Sequence, residues 1–102
     1  MLLIEVIGRR PLPDELDRDD VEDLLADCVG EFGEVTGAGS GAGGWHLDLE
    51  IAADTLPRLL PRVAAALTAA GLGWVLLRLE TTVEPVRAST LAAGPDHARF
   101  PE

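Results

Sequence analysis

Between Trp45 and Ala52 every second residue is apolar: Trp45, Leu47, Leu49 and Ile51 alternate with His46, Asp48 and Glu50. A period of two places the apolar set on one face of a β-strand and the polar set on the other. The chain must therefore build a sheet with one face buried and one face meeting solvent or a partner. At 102 residues it has the length of one domain, able to bury roughly 65% of its unfolded surface around one core. What covers the apolar face must come from its helical segments.

Leu2 to Ile7 is apolar except for Glu5 and stops at Gly8, with Pro11 and Pro13 beyond, which predicts a first strand entering a turn. A helix follows. Asp14 can cap it, and Leu16, Val21, Leu24, Leu25, Cys28 and Val29 approximate one apolar face before Gly30. Phe32 to about Ala38 predicts a short second strand. The run GEVTGAGSGAGG predicts a long flexible hairpin loop containing Gly39, Gly41, Gly43 and Gly44, leading to the alternating third strand. From Asp54 a second helix carries Leu56, Leu59, Leu60, Val63, Leu67 and Ala70 at helical spacing; Pro57 suits its first turn, and Pro61 predicts a kink or a late start. Trp74 to Val83 alternates again, with Val75, Leu77 and Leu79 on one face and Trp74, Leu76, Arg78, Glu80 and Thr82 on the other. Beyond Pro85 periodicity disappears, so the expected division is a domain over 1–84 and an irregular tail over 85–102 that either frays or lies along the sheet edge.

The order β-α-β-β-α-β resembles the ferredoxin-like, split βαβ plait. That resemblance implies an α+β fold: a four-stranded antiparallel sheet with two helices on one face. Right-handed crossovers give the order 4-1-3-2. GEVTGAGSGAGG followed by WHLDLEI also resembles small bacterial proteins of an uncharacterised family, a resemblance that implies no activity.

The net charge of −10 argues against nucleic acid, which requires a basic patch, and against an anionic membrane surface. No run approaches the roughly 18 apolar residues of a membrane span. The N-terminal segment has the wrong order for a secretory signal, so a cytoplasmic location is expected. All the basic residues are arginine and alanine is abundant, a composition that suggests a high-GC bacterial source.

Three stretches are candidate sites. The glycine run lies between two strands, whereas phosphate loops lie between a strand and a helix N-terminus, so it reads as a hairpin. On the open sheet face, alternation collects Glu5, Glu34, Thr36, His46, Asp48, Glu50, Arg78, Glu80 and Thr82 beside Trp74 and Leu76. Ligands two apart on one strand stand some 6 to 7 Å apart, so no metal site is expected there. The third stretch, DELDRDDVEDLLAD, lacks the glycine and closing glutamate of a calcium loop. It offers Asp19, Asp20, Asp23 and Asp27 as a helical docking stripe for a basic partner. Arg9 and Arg10 read as a charged turn, and Cys28 as a packed thiol rather than a nucleophile. No catalytic constellation links His46 or His97 to a nucleophile, and no cofactor is expected.

The functional expectation is a non-enzymatic module that pairs with a basic protein, as immunity proteins of bacterial toxin systems do. The alternatives are a domain that dimerises or binds a ligand through its sheet, with Trp74 and Leu76 as the apolar contact, and a small enzyme working with Glu5, His46, Asp48, Glu50 and Arg78.

Overall fold

A computed structural model of the chain describes residues 1–41, 43–80 and 84–92. Its elements are β1 (Leu2–Gly8), α1 (Arg18–Val29), a short 3-10 turn (Gly30–Phe32), β2 (Gly33–Gly41), β3 (Gly44–Ile51), α2 (Leu56–Ala69), β4 (Leu76–Leu79) and β5 (Val86–Arg87). The fold is α+β with an antiparallel sheet, as expected. The expected four-stranded sheet of order 4-1-3-2 is corrected. The described residues form five strands, in the order β2-β3-β1-β4-β5, and β4 is interior where it was expected at an edge. The added strand comes from the segment beyond Pro85, which carries too few residues in pairing to leave a periodic signature.

Alternation sets the layers. Ile4 and Val6 of β1, Leu47, Leu49 and Ile51 of β3 and Leu77 of β4 are almost wholly buried. They form one cluster with Val21, Leu25 and Val29 of α1 and with Leu56, Leu59, Val63 and Leu67 of α2. Both helices thus cover the same face, and burial of these side chains supplies about 1.5–3 kcal/mol each. Neither α1 nor α2 covers the opposite face.

Helix α1 begins three residues later than a cap at Asp14 implies. Asp17 is the cap: its carboxylate accepts from the Asp20 backbone N–H at 3.0 Å, and the Asp20 carboxylate accepts from the Asp17 N–H at 3.0 Å. This reciprocal pairing satisfies two donors at once. Residues 13–16 form a separate turn closed by Leu16 N–H to Pro13 C=O. Pro61 neither starts nor stops α2, which runs through it. Pro57 and Pro61 are both exposed, so the carbonyl that Pro61 leaves unpaired faces water, where a missing helical bond costs least. No described helix is long and apolar enough to cross a membrane.

The glycine run is the largest departure from expectation. It is a strand: β2 spans nine residues and pairs with β3 through Gly41 opposite Gly44. Gly39, Gly41 and Gly44 therefore lie in strands, and Gly43, with φ of +80°, occupies the tight turn between them. Pairing uses backbone groups alone, so an absence of side chains does not prevent it. The space above the glycines is filled from the neighbouring strand. A Cβ on Gly37 would stand 2.8 Å from Asp48 Oδ2, and one on Gly39 2.5 Å from His46 Cε1. The register shifts between Val35 and Gly37, a bulge centred on Thr36.

The segment beyond Pro85 is also structured where it is described. After β5, residues 88–92 form a helical turn. Ala88 is fully buried, its N–H donating to Val75 C=O at 2.7 Å, and Leu91 and Ala92 pack against the core. Residues 93–102, including His97, and residues 81–83, including Thr82, lie outside the described residues.

Candidate functional site

The register of the sheet arranges the open face in rows that cross the strands. One row runs Glu34, Glu50, Leu3; the next Gly37, Asp48, Glu5, Arg78; the third Gly39, His46, Ile7, Leu76, Arg87. Because β1 is central, Glu5 stands between Asp48 on one side and Arg78 on the other. Half-buried Leu3 lies on one side of the charged Asp48, Glu5, Arg78 row and half-buried Ile7 and Leu76 on the other, so the middle of the face is charged and its apolar residues flank it. Thr36, expected on this face, sits at the bulge instead, because the extra residue breaks the alternation of β2.

Arg78 donates from Nε to Glu5 Oε1 at 2.6 Å, and its Nη2 reaches the same oxygen. This ion pair engages the Arg78 guanidinium. Among the described residues, Glu34, Asp48 and Glu50 have no cationic partner. Glu80, at the end of β4, has a structural duty: its Oε1 accepts from the Leu3 N–H at 2.6 Å, and its own N–H donates to Leu3 C=O at 3.0 Å. His46 is exposed and Asp48 and Glu50 are half-buried. No group of three histidine, cysteine or carboxylate side chains that would hold a metal occurs among the described residues.

The acidic stripe of α1 belongs to a different surface. Asp19, Asp23 and Asp27 recur every fourth residue and are exposed, while Asp20 is held in the capping pair. Since α1 packs on the covered face of the sheet, the molecule presents two separate acidic surfaces on opposite sides.

Trp74 is not on the open face. It lies in the turn before β4 and meets Trp45 edge-to-face, ring centroids 6.4 Å apart with 80° between planes. The Arg10 guanidinium lies 4.2 Å over the Trp74 ring. Trp45 in turn donates from Nε1 to Arg10 C=O at 3.1 Å. Sequence alternation assigned Trp74 to the open face by extending β4 backwards, but the strand begins only at Leu76. Of the arginines gathered here, Arg9 and Arg10 read from sequence as a charged turn, and Arg87 sat in the segment read as a tail, so their meeting was not foreseen.

Cys28 is half-buried near the end of α1, and burial raises its thiol pKa, with Asp27 adding to the rise and Arg62 opposing it. A raised pKa leaves less thiolate at neutral pH. Labelling with a disulfide reagent at pH 7 is therefore expected to run about tenfold slower than for an unstructured peptide thiol, the difference narrowing as pH rises. Labelling as fast as the peptide would contradict a packed role.

Comparison with known family models, curated proteins and solved structures yields no match for this chain.

Proposed function

We propose that the protein is a non-enzymatic, cytoplasmic binding module, a ferredoxin-like plait extended by β5, that docks a basic protein partner on its open sheet face. One observation carries the reading: Arg78 is committed to Glu5, so Glu34, Asp48 and Glu50 are left without a cation among the described residues. Leu3 on one side of the charged row and Ile7 and Leu76 on the other add apolar contact area beside these carboxylates, and protein interfaces combine the two kinds of contact. The net charge of −10 accelerates encounter with a basic surface and makes it salt-dependent. The pairing would be of the immunity-protein kind, in which an acidic domain covers a basic one. Leu3, Ile7 and Leu76 also suit a homodimer through the sheet, the reading to adopt if the free protein has twice the mass of the chain.

The test is a pull-down from native cell extract at low and high salt, with Asp48→Arg/Glu50→Arg and Asp19→Arg/Asp23→Arg variants in parallel. The expected result is a basic protein retained at low salt and released at high salt, with affinity reduced by tenfold or more, on the order of a reversed charge pair, in the sheet-face variant alone. Equal capture by the sheet-face variant would remove the reading; selective loss in the helix variant would transfer the dock to α1.

A further inference from the structure

The three arginines that meet beside Trp74 run against the charge of the rest of the molecule. Against 18 acidic residues the chain has eight basic ones, yet Arg9, Arg10 and Arg87 line one groove of about 710 Å³ with Trp74 and Ser89, and among the described residues no carboxylate lines it. Among the described residues none of the three guanidiniums has an ion-pair or hydrogen-bond partner. Like charges gathered without counter-charge repel one another. In a strongly acidic protein, arginines placed without regard to function would have carboxylate neighbours.

Arg10 is also held in place. Its guanidinium is stacked on Trp74, Trp74 abuts Trp45, and Trp45 closes the circuit by donating to the Arg10 backbone carbonyl. A stacked guanidinium keeps its in-plane N–H groups directed outward as a preformed fork, the geometry that matches phosphate oxygens bidentately. The exposed Ser89 hydroxyl offers one more donor at the wall.

We propose that this groove binds the phosphate or pyrophosphate group of a small phosphorylated molecule. Three guanidiniums balance a di- or trianion, whereas a lone carboxylate would satisfy one fork and leave the others unpaired. The volume is that of a small-molecule site. The groove shares Leu76 and Arg87 with one end of the open face but none of its carboxylates, so Arg87→Gln here and Asp48→Arg/Glu50→Arg at the dock test the two readings separately.

The experiment is calorimetric titration of the intact chain with inorganic pyrophosphate and with inorganic phosphate at constant ionic strength, accompanied by tryptophan fluorescence. Saturable binding is expected, tighter for pyrophosphate, with a change in indole emission. Arg87→Gln removes one charge-assisted contact at an exposed position and is expected to weaken binding by about tenfold. Arg10→Lys keeps the charge but loses the stacked fork, and weakens binding by a similar factor. Arg62→Gln, at the far end between α1 and α2, leaves it unchanged. Circular dichroism of each variant confirms that it is folded. No saturable signal at millimolar pyrophosphate would overturn the proposal, as would an affinity as sensitive to Arg62→Gln as to Arg87→Gln.

Discussion

Gly8→Ala is expected to lower the free energy of unfolding by about 3 kcal/mol, a large part of the margin of a domain this size. Gly8 is buried at the end of β1, opposite Trp45. The indole of Trp45 occupies the space that a Cβ on Gly8 would enter, so the ring and the methyl group cannot both be accommodated. Trp45 has little room to retreat: it is 8% exposed, its Nε1 is bonded to Arg10 and its edge is against Trp74. Urea unfolding of the variant measures the loss. Gly41→Ala, where an added Cβ would meet nothing within 4 Å, serves as the control and is expected to change stability by less than about 1 kcal/mol. A Trp45→Leu background should reduce the penalty of Gly8→Ala, because the two positions share one space and their effects are not additive. Equal stability of Gly8→Ala and the parent would refute the close approach.

A loss of about 3–4 kcal/mol is expected for Ala88→Asp, at a position that sequence alone assigns to a tail. Ala88 is fully buried in the core cluster and follows directly on β5. A carboxylate there would be removed from water without a counter-charge, and its methylene-plus-carboxylate bulk would part the N–H of residue 88 from Val75 C=O. Thermal unfolding reads the effect directly. Thr90→Asp, two residues on and exposed, is expected to be nearly neutral. If both variants melt with the parent, the segment after Pro85 is not part of the core.

Much of the covered face of the sheet was legible in the sequence, because burial imposes periodicity on side chains. The alternation of β3 located its core residues, and the spacing of Val21, Leu25 and Val29, or of Leu59, Val63 and Leu67, located the helical faces. What escaped was structure held by backbone. The glycines of β2 carry no side chains to alternate, so their pairing with β3 left no trace in hydropathy, and their real constraint comes from His46 and Asp48 leaning over them. The two paired residues of β5 were too few to register. Cap choice failed for a related reason. Asp14 and Asp17 are chemically identical as caps, and each has an aspartate three residues beyond it, Asp17 and Asp20, so local sequence does not distinguish them. At the open face, strand order put Glu5 near Arg78 or Glu80 on one side and Asp48 or Glu50 on the other, and only the register of pairing selects Arg78 and Asp48. Trp74 was misplaced because the period of β4 was extended into a turn. The arginine groove was invisible because its members come from three separate segments of the chain.

The bulge at Thr36 bears on how the protein survives its own concentration. β2 is a sheet edge nine residues long with a single charged side chain, Glu34, and little bulk along it. A flat edge of that kind is a template onto which other chains can add, strand by strand, towards aggregation. The extra residue twists the strand and puts its outward donors and acceptors out of step with any straight partner, beside a negative charge that repels an identical edge. A local irregularity in pairing thereby acts as a guard against self-templating, and it lets the edge stay glycine-rich without the lysines or prolines that usually protect such strands.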